Sequence, residues 1–185
     1  MLTLPSGSRF DGHAVPPCAA SDQQLQLQGP AACPAASQVG GGTIQVMLGS
    51  PLDPETTDVT IFNAGTGTIE VLTAPGSGRT LAIDRGTFTA PNQLTNHPAA
   101  APGGPPDYRA AVSEADLSYD RIQAPKGGAF ITAPASCPRS RVWTSRVAYS
   151  TDDGKSYTAT ATTPCERRLV RHRHHARRRG LRRGR

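Results

Sequence analysis

The chain predicts an all-β fold: an antiparallel β-sandwich of about eight or nine strands, with a short N-terminal helix and a disordered basic C-terminal tail. Three observations carry this expectation. Apolar residues recur at every second position in successive runs from Ile44 onward, the period of a strand with one buried face. Turn residues separate those runs: 19 Gly and 17 Pro in 185 residues make about 19%, against roughly 12% in ordinary usage. No helical pattern is long enough for a parallel βαβ crossover. A barrel is the alternative arrangement of the same strands.

Residues 1–17 read as an extended arm. Ser21-Asp22, followed by Gln23-Gln24-Leu25-Gln26-Leu27-Gln28, predicts a short helix with Ser21 or Asp22 as N-cap, because a short polar side chain accepts from the free N–H groups of the first turn. Gly29-Pro30 stops it. Cys33-Pro34-Ala35-Ala36-Ser37-Gln38 predicts one further helical turn, since proline suits the first helical position, and Gly40-Gly41-Gly42 breaks that turn. The period then becomes two. Ile44, Val46 and Leu48 form one run, Val59 and Ile61 the next, and Ile69, Val71 and Thr73 follow the Gly65-Thr66-Gly67 turn. Leu81 and Ile83 alternate until Gly86, after which Phe88 takes over the phase; a glycine at a phase slip predicts a β-bulge.

Residues 91–107 hold five Pro and two Gly and predict a long loop. Ala115, Leu117 and Tyr119 alternate with acidic and polar neighbours. Phe130-Ile131-Thr132 is a short strand. Trp143, Ser145, Val147 and Tyr149 are answered by Tyr157, Ala159 and Ala161 across Thr151-Asp152-Asp153-Gly154-Lys155. That link is a hairpin signal, because Asp and Gly tolerate positive φ. The expected organisation is an arm and short helix at 1–41 packed on the domain, a β-sandwich at 42–165, and a tail at 166–185.

The formal net charge of +6 is an average of two unlike parts. Residues 1–165 carry 10 Lys+Arg and 13 Asp+Glu, a net of −3, whereas residues 166–185 carry ten Arg against Glu166, a net of +9. Any affinity for anions therefore belongs to the tail. It would be supplied by Arg167, Arg168, Arg171, Arg173, Arg177, Arg178, Arg179, Arg182, Arg183 and Arg185. Arginine offers paired donors to phosphate, and counterion release makes such binding fall steeply with salt. No aromatic interleaves these residues, so base stacking is not offered. His172, His174 and His175 stand among them, where adjacent Arg would repel a metal ion. The bland alternative is a solvated, incidental tail. Arg outnumbers Lys 18 to 2, which with abundant Ala, Gly and Pro reads as the coding bias of a high-GC bacterial genome.

The four cysteines, Cys18, Cys33, Cys137 and Cys165, contain no Cys-x-x-Cys of the zinc or thioredoxin kind. Three pairings are open. Cys18 with Cys33 and Cys137 with Cys165 is favoured because both loops are short, and closing a loop of about 15 residues is worth roughly 3 kcal/mol in the chain-entropy treatment. An even cysteine count in a Thr/Ser/Gly/Pro-rich body points to disulfides and hence to export. Met1-Leu2-Thr3-Leu4-Pro5 has neither the basic nor the apolar region of a signal peptide, so the expectation is a start further upstream or a truncated chain. No stretch reaches the roughly 18 apolar residues of a membrane-spanning helix.

Leu4-Pro5-Ser6-Gly7, Cys18 and Cys33-Pro34-Ala35-Ala36-Ser37, leading into Gly42-Thr43-Ile44-Gln45-Val46, resemble a group of secreted β-domain proteins of unknown function from high-GC actinobacteria. Thr132-Ala133-Pro134-Ala135-Ser136-Cys137, the Asp-Gly hairpin and Thr163-Pro164-Cys165 are similar to the same group. The shared motifs are structural turns covering about a third of the chain. The resemblance implies an exported, disulfide-stapled β domain with no assigned activity.

Reactive constellations are few. Gly154-Lys155-Ser156 lacks the upstream glycine of a phosphate loop and is followed by a strand, so it reads as a hairpin turn. His13 and His97 are the only body histidines that could serve a Ser/His/Asp triad, and both read as solvated. Asp53, Glu55 and Asp58 could offer oxygen ligands to calcium, but their spacing fits no EF-hand. A glycosidase pair would have to come from Glu70, Asp84, Glu114 or Asp116. Outward-facing strand charge is the default reading. The expected function is that of a non-catalytic exported or cell-envelope module, structural or ligand-presenting, without a cofactor or metal. The alternatives are polyanion binding through the tail (nucleic acid, cell-wall polymer or acidic lipid) and an unrecognised carbohydrate-active or hydrolytic enzyme.

Overall fold

The computed structural model describes residues 1–48, 53–97, 111–120, 129–151 and 153–165. The strands are β1 (Leu2–Thr3), β2 (Arg9–Phe10), β3 (Gln38–Leu48), β4 (Asp53–Asn63), β5 (Gly67–Thr73), β6 (Thr80–Ala90), β7 (Gln93–His97), β8 (Ala111–Tyr119), β9 (Ile131–Thr132), β10 (Val142–Ser150) and β11 (Ser156–Pro164), with one helix, α1 (Asp22–Gln28). Nine strands make one antiparallel sheet in the order β11-β10-β1-β7-β6-β5-β4-β3-β8, and β2 pairs separately with β9. The predicted all-β antiparallel class and its short N-terminal helix are what the structure holds. The sheet curls, and the β2–β9 pair with residues 14–15 forms the layer packed on its inner face.

The helix forms where capping chemistry places it. Ser21 Oγ accepts from the Gln24 N–H while the Gln24 side chain accepts from the Ser21 N–H, a reciprocal capping box. Gly29 ends the helix at φ 62°, returning its N–H to the Leu25 carbonyl. The second predicted turn is a 3-10 turn at Ala35–Ser37. Leu25, fully buried, carries α1 onto the outer face of the sheet, against Phe62, Ile69 and Val71. Arg85 grips the helix start through Asp22 at 2.6 Å and the Ala20 carbonyl at 3.2 Å.

The central strands are therefore covered on both faces, and this explains one correction. Gly86 is not a bulge: it pairs in register with Thr68 and Asn96. The shift from Ile83 to Phe88 is a change of face, because Ile83 packs outward beside α1 and Phe88 packs inward. The irregularities fall elsewhere, between Leu72 and Thr73 and between Phe88 and Ala90. A second correction concerns residues 91–107, where Gln93–His97 is the strand β7. Leu94 is the only apolar residue in it, too few for a visible period. The remainder of that expected loop lies outside the described residues.

Gly40, Gly41 and Gly42 do not interrupt β3; they lie within it. A Cβ at Gly40 would stand 2.2 Å from the Ser118 carbonyl oxygen, and one at Gly42 would stand 1.9 Å from that of Asp116. Side chains there would push β8 off the sheet. Beyond the backbone pairing of β1, side-chain bonds also tie the arm to the sheet. Buried Asn63 donates from Nδ2 to the Gly12 and Val15 carbonyls, both at 2.8 Å, so the arm crosses from the inner core at Ala14 and Val15 to the outer core at Cys18.

Candidate functional site

Strand register brings one of the candidate acid pairs together. On β5, Ile69 and Val71 face the outer core, which leaves Thr68, Glu70 and Leu72 on the inner face. On β6 the inner positions are Ala82, Asp84 and Gly86. Glu70 lies directly opposite Asp84, a relation that puts the two Cβ atoms about 4.5–5.5 Å apart. The row continues through Ile61 and Gly40 to Tyr119 on β8. The next row runs Asn63, Thr68, Gly86 and Asn96.

The pair is sealed. Glu70 is 5% exposed and Asp84 is 6% exposed. Burial, and secondarily the charge of Asp84, push the Glu70 carboxyl up to about 7, against the pull of a hydrogen bond from Asn96 Nδ2 to its Oε2 at 2.9 Å. Two carboxylates in a low-dielectric site resist ionising together, so Glu70 is half protonated near neutral pH. Burial, then the Glu70 charge, holds the Tyr119 phenol above its ordinary range, where it remains a proton donor. Beside them Thr68 Oγ1 and Asn96 Oδ1 are buried without a hydrogen-bond partner among the described residues. Gly86 leaves the room that Thr68 needs, since a Cβ there would lie 2.5 Å from Thr68 Oγ1.

Aromatic rings occupy the same inner face. Phe10 stacks on Phe88 with centroids 4.9 Å apart, and fully buried Phe130 meets Phe10, Phe88 and Tyr119 at 6.1–6.2 Å. A glycosidase acid pair must flank a sugar and admit water. Glu70 and Asp84 instead lie side by side in the buried inner layer.

No protein-family model, curated protein or solved structure matches the chain. The reading of its other candidates rests on the geometry. Glu114 and Asp116 are exposed on β8, opposite Gln45 and Thr43, and do not join the buried pair. Asp53, Glu55 and Asp58 belong to β4 and not to a loop, with Asp58 on the face opposite to Asp53 and Glu55. Among the described residues no group of three His, Cys, Asp or Glu is placed to hold a metal. His13 and His97 are exposed. Gly154, at φ 80°, makes the expected hairpin turn, where Lys155 pairs with Asp153 at 2.6 Å. Lys155 and then Thr151 hold the exposed Asp153 carboxyl below its usual range.

Both favoured disulfides are present: Cys18–Cys33, with Cα atoms 5.1 Å apart, and Cys137–Cys165, at 5.7 Å. The first brackets α1. The second joins the two feet of the β10–β11 ribbon, where the Cys165 N–H also donates to the Arg141 carbonyl at 2.8 Å. The arginines from Arg167 to Arg185 lie outside the described residues. Reasoning from sequence did not single out Thr68, Asn96 and Tyr119 for the acid site. The available signal was Glu70 itself, a charge set in the apolar run Ile69-Glu70-Val71-Leu72.

Proposed function

We propose that this chain is a non-catalytic, exported β-sandwich module of the cell envelope, with a structural or ligand-presenting role. The observation that carries the reading is the placement of the two disulfides. Each staples a part with little core of its own: the arm that bears α1, and a ribbon whose β11 strand is exposed along its whole length. Such staples persist in an oxidising compartment and are lost in a reducing one. The closed acid pair and the resemblance to secreted actinobacterial β domains favour the same reading. Thiol titration with intact mass on protein recovered from fractionated source cells tests it. The expected result is no free thiols, in material from outside the cytoplasm. A cytoplasmic pool with four free thiols would overturn the proposal.

The charge partition favours a second activity, attachment to an anionic polymer or membrane surface through residues 166–185. The full chain is expected to bind heparin at low salt with an affinity that falls steeply as salt rises. The −3 body alone should pass through unretained. Equal retention of both would remove this activity from the tail.

A further inference from the structure

The two edges of the large sheet differ in a way that identifies one of them as an interface. Edge strands expose unpaired backbone groups, and charges, prolines or bulges normally protect them. β8, at one end, carries Glu114 and Asp116 and a register irregularity against β3. β11, at the other end, carries no charge from Ser156 to Pro164. It pairs with β10 in nine unbroken steps and is exposed at every residue. Pro164 at its end is its only protecting residue.

The sequence of β11 is also self-complementary. Thr158-Ala159-Thr160-Ala161-Thr162 reads the same in both directions about Thr160. We propose that β11 is a homodimerisation edge, on which β11 of a second copy of this chain adds antiparallel with the two-fold axis at Thr160. In that register Thr160 faces itself, Thr158 faces Thr162, Ala159 faces Ala161, and Tyr157 faces Thr163. It is the one register in which all nine residues are used. An isologous contact of this kind closes as a dimer and does not propagate. About eight backbone hydrogen bonds form, whichever alternate set of residues points outward, because Pro164 removes two from the longer set.

Charge agrees with this occupant. No charged residue meets another along the nine steps. Within β10 and β11 themselves the only like pair is Arg146 with its copy, since Arg146 lies opposite Thr160 on β10. Three strand spacings, about 14 Å, separate them, beyond the screening length of about 8 Å at physiological salt. The other face of the ribbon is apolar and exposed: Val147 is 42% exposed, and Tyr149 and Tyr157 stack at 5.3 Å while 52% and 45% exposed. Pairing places Tyr157 of one copy beside Thr163 of the other, which stands opposite Trp143 on its own ribbon. Each copy's aromatic pair then extends the apolar face of the other.

Single cysteine substitutions in the full chain test the register. Thr160→Cys is expected to give a disulfide-linked dimer under mild oxidation, because self-facing residues have Cα atoms about 4.5–5.5 Å apart, within disulfide range. Thr158→Cys and Thr162→Cys each face a threonine and should form no disulfide-linked dimer, whereas the double variant should cross-link. Sedimentation of the unmodified protein should show a concentration-dependent dimer. Thr160→Lys should abolish it while leaving the near-UV circular dichroism intact. A monomer at all concentrations, or cross-linking equal at 158, 160 and 162, would overturn the proposal.

Discussion

Phe130→Ala is expected to destabilise the fold by about 3–5 kcal/mol, the cost of truncating a large aromatic in a packed core. Phe130 has no exposed surface and touches three other rings, Phe10, Phe88 and Tyr119. It also adjoins β9, which ties β2 to the inner layer: the Asp11 N–H donates to the Phe130 carbonyl at 2.9 Å. The cavity would open between the inner layer and the sheet, beside the row that holds Glu70 and Tyr119. For a chain of this size the loss corresponds to a fall in Tm of roughly 6–20 °C. Thermal unfolding followed by near-UV circular dichroism measures it. A change below about 1 kcal/mol would mean that the aromatic group does not hold the two layers together.

The second large effect is a pH dependence set by Glu70. Its carboxyl titrates near 4.5 when unfolded and about 7 when folded. Between those values the folded state binds the extra proton, so the contribution to stability is complete below pH 4.5 and is lost as pH rises through 7. The difference is worth about 3 kcal/mol. Glu70→Gln keeps the shape and still offers an oxygen to Asn96 Nδ2, but it carries no titrating proton. Unfolding free energies at pH 5 and pH 8 should therefore fall for the native chain and stay level for the variant. At pH 8 the variant should be the more stable of the two. If the native chain shows no slope in this window, or the variant keeps it, then the pair does not store the proton assigned to it.

Both effects arise from contacts distant in sequence, which bears on how much was legible in advance. The helix was legible because its signals are local: Ser21, Gln24 and Gly29 act within two turns. The Asp-Gly hairpin was legible for the same reason, and the structure adds its register, with Tyr149 opposite Tyr157. The acid site was half legible. Glu70 and Asp84 could be named, but their convergence depends on the β5–β6 register, and period-two alternation gives a strand two faces without giving it a neighbour. Gly86 was misread as a bulge, and Gly40–Gly42, read only as the end of a helical turn, lie inside β3, because a glycine required by the close approach of another strand has the same letter as one required by a turn.

The sequence by itself determined the class of structure and the division between a −3 body and a +9 tail, and it favoured the cysteine pairing that the structure holds. These follow from composition, from spacing and from turns a few residues long. Only the tertiary structure decided that Leu2–Thr3 splices between β7 and β10, that Glu70 stands against Asp84 under an aromatic layer, and that β11 is an uncharged outer edge. The physical reason is that strand order and register are fixed by packing between segments far apart in the chain, with free energies that no local pattern encodes.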